Sequence, residues 1–192
     1  MVKKEDEKLE NKKHHHRGKS SESRLYKDII LKELNIRSGQ TILDAGCGNG
    51  YMSKEFLKLL NNTGKVYALD PDESAIEILK EETQGTNIET IVGDITRKTQ
   101  IEDATVDLMY LSTVFHGFSK GEIDGFQKEV KRLLKPNAVL AIIEIIKEET
   151  PFGPPLDIRF SPDELKETIT LNPKSLAAVG EYFYMQTFEN IS

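Results

Sequence analysis

Residues 41–50, T-I-L-D-A-G-C-G-N-G, restrict the possible folds of this chain more than any other segment. An apolar run ends in Asp44, glycines alternate at 46, 48 and 50, and an amphipathic stretch follows over 51–60. That order reads as a buried strand, a tight turn and a helix. Glycine is wanted where the backbone takes a positive φ, or where a ligand lies against it with no Cβ between. The turn is therefore expected to grip a small molecule.

The same grammar repeats downstream. Residues 65–70, 88–92 and 106–111 read as further strands, and 71–82 and 122–134 as helices, with Pro71 near the first turn of its helix. Lys135, Pro136 and Asn137 stop the second of these helices. Residues 138–146, A-V-L-A-I-I-E-I-I, look like a strand buried on both faces. An amphipathic helix over 23–34 precedes the first strand. Strand and helix alternate from 41 to 146, which predicts an α/β, Rossmann-like doubly wound sheet. In such sheets ligands bind outside the carboxyl ends of the strands, near the reversal of strand order. Asp44, Asp70 and Asp94 all fall at or just past strand ends, so one rim is expected to carry three carboxylates.

The remaining segments are of other kinds. Residues 1–22 are rich in lysine and glutamate and almost without apolar side chains, which predicts a mobile tail. Residues 23–192 are read as one domain. Residues 151–155 form a stiff proline-rich loop. Ser161, Pro162 and Glu164 open a helix as N-cap, first residue and capping box. Two β-prone runs, 175–179 and 182–188, predict a hairpin that finishes the sheet.

Composition weighs against several classes, although a local basic patch stays open. A net charge of −6 disfavours broad nucleic-acid binding, which needs a positive field. Cys47 is the single cysteine, so no internal disulfide forms and a reducing, cytoplasmic setting is expected. No apolar run approaches the ~20 residues of a membrane span. No metal-ligand cluster stands out, since adjacent histidines at 14, 15 and 16 have poor ligating geometry.

Two cofactor types compete for the turn. A dinucleotide site reads G-x-G-x-x-G, but Tyr51 stands at the third glycine position, and the carboxylate of Asp44 would oppose a pyrophosphate. Asp44 suits an ammonium, Asp70 a ribose diol, and Asp94 an exocyclic amine. Together these describe S-adenosylmethionine, whose sulfonium also favours an acidic rim.

The chain resembles the class I S-adenosylmethionine-dependent methyltransferases, in the type 11 or quinone-biosynthesis group that also includes many small-molecule methyltransferases. The likeness covers roughly 25–188. It rests on I-L-D-A-G-C-G-N-G at 42–50, V-Y-A-L-D at 66–70, V-G-D-I at 92–95, V-D-L-M-Y-L-S-T-V-F-H at 106–116 and R-L-L-K-P-N-A-V-L at 132–140. The resemblance implies a seven-stranded, mostly parallel sheet with an antiparallel last strand. It implies that Asp44 and the backbone around Ala45, Gly46, Cys47 and Gly48 hold the methionine part. Asp70 would bind the ribose, Pro71 would lie beside the adenine, and Asp94 and Ile95 would meet its amine and edge. Leu111 and Ser112 would line the methionine side through backbone groups. Cys47 reads as a small turn residue rather than a nucleophile.

Methyl transfer is an in-line displacement on the sulfonium carbon, yielding S-adenosylhomocysteine, so no nucleophile is required from the protein. A base helps only when the acceptor must lose a proton. His116 is the candidate base, with a structural histidine packed under the cofactor as the alternative. A small-molecule acceptor is expected, walled by the loop over about 147–161. Arg159 in that loop either meets an acidic substrate group or pairs with Asp157 or Asp163. His16 and Arg17 are candidates for a lid. The competing readings are a methyltransferase-like protein that binds cofactor or partner without turnover, and a NAD-dependent oxidoreductase.

Overall fold

The computed structural model describes residues 21–191. The expectations for the charged tail up to residue 20, for His14, His15 and His16, and for a lid built on His16 and Arg17 lie outside those residues. Seven strands, β1 (Thr41–Ala45), β2 (Lys65–Asp70), β3 (Ile88–Val92), β4 (Val106–Ser112), β5 (Leu134–Ile145), β6 (Asn172–Gly180) and β7 (Phe183–Glu189), form one sheet. Its order is β3-β2-β1-β4-β5-β7-β6. β7 is antiparallel to both neighbours, and the strands from β3 through β5 pair in parallel. The last strand is thus the reversed one, as expected. The order turns back between β1 and β4, which places the switch point of the sheet directly above the glycine turn.

The helices are α1 (Lys27–Leu34), α2 (Tyr51–Leu59), α3 (Glu73–Glu82), α4 (Lys120–Leu133) and α5 (Pro162–Thr168). Strand residues alternate between the two faces. Ile42, Val66, Leu108 and Tyr110 pack with Ile30 of α1, Phe56 of α2 and the adjoining Leu60. Leu43, Leu69, Met109 and Leu111 pack on the other face with Phe126, Val130 and Leu133 of α4 and Leu165 of α5. Each such side chain contributes roughly 1.5–3 kcal/mol by leaving water. The central strands are apolar on both sides because helices cover both.

Several boundaries differ from the sequence reading, for local reasons. Residues 21–24 form a 3₁₀ turn and Leu25 bridges to Gly180, so α1 starts only at Lys27. Pro71 stays outside α3, because the Asp72 carboxylate accepts from Ser74 N and Ala75 N and is the N-cap. α4 starts at Lys120, two residues early, because Ser119 and Glu122 form a capping box. β5 follows α4 without a loop, and Lys135, Pro136 and Asn137 are absorbed into a register shift against β4, with Asn137 at φ 63°. The Ser161, Pro162 and Glu164 start of α5 is as expected.

The loop after β5 is held from inside. Arg159 is only 5% exposed. Its guanidinium donates to the carbonyls of Pro154 (2.8 Å), Ile146 (3.1 Å), Glu148 (2.7 Å) and Phe152 (3.3 Å), and to Thr150 Oγ1 (2.9 Å). This corrects both readings of Arg159: it pairs with neither Asp157 nor Asp163, and its head points into its own loop, away from any acidic substrate group. Arg159→Met is expected to lower stability by about 3 kcal/mol, because buried carbonyls lose a charged donor. Urea unfolding checks this; a loss below about 1 kcal/mol would mean water replaces the guanidinium.

Candidate active site

The turn after β1 takes three left-handed conformations in five residues: Gly46 at φ 73°, Gly48 at 52° and Gly50 at 72°. Only glycine adopts these without strain. The turn is tied to the end of β2. Gly46 N and Cys47 N both donate to Leu69 O, at 2.7 and 3.0 Å. Gly48 N donates to Asp70 Oδ2 at 2.9 Å. All three amides are therefore committed within the protein, while the Gly46 carbonyl oxygen accepts no hydrogen bond among the described residues. A site for a pyrophosphate leaves its amides free. This one offers oxygens instead. A Cβ on Gly48 would meet nothing within 4 Å, so the turn opens to the rim at that point.

The three carboxylates sit on the rim as expected, in different states. Asp44 is 3% exposed and accepts from Ser53 Oγ of α2 at 2.6 Å. Burial pushes its carboxyl up to about 7, against the opposing effect of the Ser53 hydrogen bond. Asp70 ends β2 and accepts one amide on each oxygen, from Gly48 N and from Asp72 N at 2.9 Å. It does not cap α3. Asp94 Oδ1 accepts from Thr96 N (2.8 Å) and Thr96 Oγ1 (2.7 Å), closing a local turn, and Oδ2 lies 3.5 Å from Arg97 Nε. Pro71 is exposed beside Asp70, whereas Ile95 and Leu111 are buried in the core on the α4 face. Cys47 is buried, and desolvation holds its thiol far above the usual range, as suits a turn residue and not a nucleophile.

The end of β4, where Leu111 and Ser112 were expected to act through their backbone, adds side-chain and backbone features around them. Asp44 is in register with Tyr110, whose buried hydroxyl has that of Ser112 as its near neighbour, without a hydrogen bond of good geometry to either. Buried polar atoms in native folds are nearly always satisfied. Thr113 follows at φ 58°, an uncommon conformation for a β-branched residue and a form of strain that clusters at functional sites. Val114 then folds over the turn: a Cβ on Gly46 would lie 2.7 Å from Val114 Cγ2.

His116 sits in the next 3₁₀ turn, Phe115–Gly117, with its ring 12% exposed. Its Nδ1 is 2.7 Å from Glu144 Oε2, and its backbone N donates to Glu144 Oε1 at 3.2 Å. Glu144, in β5, is 1% exposed. The lone acid inside A-V-L-A-I-I-E-I-I was the signal available for it. Among the described residues no group of three or more His, Cys, Asp and Glu is placed to hold a metal.

Fold and rim define a doubly wound α/β protein whose glycine turn has its amides committed within the chain and carboxylates close by. Residues 42–137 match the family model described as a methyltransferase domain, and the chain belongs to that family. It is 29% identical over 126 residues to a demethylmenaquinone methyltransferase of Staphylococcus saprophyticus, covering 64% of this chain and 52% of that one. It is 26% identical over 128 residues to a 2-phytyl-1,4-naphtoquinone methyltransferase of Trichormus variabilis, covering 63% and 53%. The chain thus spans about half the length of these relatives. Among solved structures, a SAM dependent methyltransferase of Aquifex aeolicus superposes with a TM-score of 0.80 at 29% identity, covering 90% of this chain and 94% of that one. The family is one that uses S-adenosylmethionine, and the NAD-dependent reading is set aside on that ground. No helix among the described residues is long and apolar enough to cross a membrane.

Proposed function

We propose that this protein transfers the methyl group of S-adenosylmethionine to a small-molecule acceptor by direct in-line displacement, releasing S-adenosylhomocysteine. The observation that carries the reading is the state of the glycine turn. Its amides are committed to Leu69 and Asp70, which leaves the Gly46 carbonyl oxygen, without a partner among the described residues, and the carboxylates of Asp44 and Asp70 as the groups it has to offer. Oxygens of that kind receive an ammonium and a pair of ribose hydroxyls.

The chain's own residues fit the cofactor. Asp44 and the Gly46 carbonyl, with Ala45, Cys47 and Gly48 forming the floor, hold the methionine end. Leu111 and Ser112 wall that end through their backbone. Asp70 holds the ribose, and Pro71, Asp94 and the main chain of Ile95, whose side chain is buried in the core, flank the adenine. When bound, the cofactor supplies the electrophilic methyl. The protein aligns the acceptor with it and excludes water, which can lower the barrier by ~7–11 kcal/mol. The relatives named for demethylmenaquinone and 2-phytyl-1,4-naphtoquinone support an organic ring compound as acceptor. The loop over 147–161, braced by Arg159, walls the acceptor side.

Titration calorimetry with S-adenosylmethionine, followed by measurement of S-adenosylhomocysteine formed with a metabolite panel, tests the proposal. Heat without turnover would leave a binding protein; no heat would remove the cofactor site. Asp70→Ala is expected to weaken binding roughly ten- to a hundredfold, the equivalent of one charge-assisted hydrogen-bond set of ~1.5–3 kcal/mol. A variant that binds as tightly as the wild type would put the ribose elsewhere.

A further inference from the structure

The pair formed by His116 and Glu144 is built more fully than a packing role requires. Glu144 is a carboxylate inside the most apolar strand of the sheet, and among the described residues His116 is the only basic side chain within ion-pair distance of it. Both of its oxygens face His116, one on the ring Nδ1 and one on the backbone N–H. Tyr184 of β7 stands opposite Glu144 in the ladder, but its hydroxyl donates to Phe160 O at 2.7 Å. The carboxylate is thus reserved for the histidine. The other ring nitrogen, Nε2, makes no hydrogen bond among the described residues and is not among the buried unpaired atoms, so it has access to solvent. The turn that carries it follows Val114, which lies on Gly46.

A carboxylate that accepts from Nδ1–H fixes the tautomer and leaves the Nε2 lone pair free. We propose that Glu144 is a positioning residue that makes His116 Nε2 the base of this site, and that the acceptor is therefore a molecule that must surrender a proton when methylated, such as a phenol, an enol or a thiol. This rests on the methyl-transfer reading above and narrows its acceptor. The acceptor's proton passes to Nε2. The electron pair left on the acceptor atom forms the bond to the methyl carbon as the carbon–sulfur bond breaks, and that bond's pair stays on sulfur. The resulting imidazolium is held against the Glu144 carboxylate until it returns its proton to solvent.

The test begins without cofactor or acceptor. In the ¹⁵N-labelled full chain, long-range proton–nitrogen correlation of the His116 ring, assigned with a His116→Gln sample, is expected to show the proton on Nδ1 at pH values where the ring is neutral. In Glu144→Gln the remaining carbonyl oxygen keeps the His116 backbone N–H, and the new amide donates to Nδ1. The ring proton is then expected to move to Nε2. A wild-type ring protonated on Nε2, or a Glu144→Gln ring still protonated on Nδ1, overturns the proposal. The wild-type spectrum decides alone if the variant does not fold. With an acceptor returned by the metabolite panel, Glu144→Gln is expected to lower kcat ~10²–10⁴-fold, the range of general-base catalysis, at unchanged cofactor affinity. An unchanged kcat also overturns it. Failure of the wild type to bind S-adenosylmethionine would instead strike the methyl-transfer reading and leave the tautomer result standing.

Discussion

Gly46→Val is expected to bind S-adenosylmethionine about a hundredfold more weakly than the wild type while remaining folded. Two effects add. A β-branched side chain at φ 73° carries strain of ~1–3 kcal/mol. Its Cβ would also lie 2.7 Å from Val114 Cγ2, and overpacking of that kind costs ~1–3 kcal/mol. Val114 must give way, and it leads into the turn that carries His116, so the floor and the roof of the site are disturbed together. Gly48→Ala is the comparison. There a Cβ meets nothing within 4 Å, and the free protein bears only the backbone strain of φ 52°. Calorimetry and thermal melting of both variants separate the effects. Normal cofactor affinity in Gly46→Val would show that the nucleoside does not lie on the turn.

The second large effect concerns pH. The Asp44 carboxyl lies at about 7 in the folded chain, against an ordinary value of 3.8. Between these values the folded protein holds a proton that the unfolded chain has released. Raising the pH through that window therefore removes stability: the contribution is whole below about pH 4 and gone above about pH 7. A rise from 3.8 to about 7 corresponds to about 4 kcal/mol as an upper bound. Relative to wild type, Asp44→Asn is expected to gain about 2–3 kcal/mol between pH 5 and pH 8, read by urea unfolding at each pH. A flat difference would mean that Asp44 is solvated in solution. An ammonium placed beside Asp44 favours the ionised form. Cofactor affinity is accordingly expected to fall up to about tenfold per pH unit below 7 in wild type, and to lose that dependence in Asp44→Asn. Proton release on binding, measured in buffers of different ionisation enthalpy, is the direct check.

Where the governing interactions are local, the sequence was a good guide. β2 and β3 span the residues anticipated for them, because the Asp70–Pro71 pair ends one and Gly93–Asp94 follow the other, the β-prone I-E-T-I-V. The helix starting after Ser161 followed from its cap alone. Ser119 and Glu122 carry the same signal for α4, a capping box that sets its start at Lys120 rather than at Glu122. The carboxylates at 44, 70 and 94 could be placed on one rim because each ends or follows a parallel strand. Their states could not: that Asp44 is buried while Asp94 closes a local turn depends on Ser53 from α2 and on Thr96. The partnership of His116 and Glu144 was out of reach for a different reason. The two are 28 residues apart, and they meet only because β4 and β5 pair with Ser112 beside Ile143. Arg159 misled because acidic neighbours in sequence suggest surface pairing, whereas the loop's own carbonyls had the stronger claim.

The manner in which that loop is secured has a consequence for diversification. Four of the five partners of Arg159 are main-chain oxygens, which every amino acid provides. An anchor of this type is indifferent to the identity of the residues it gathers. Side chains along the strap can be exchanged for others while the strap keeps its path and the glycine turn after β1 stays untouched.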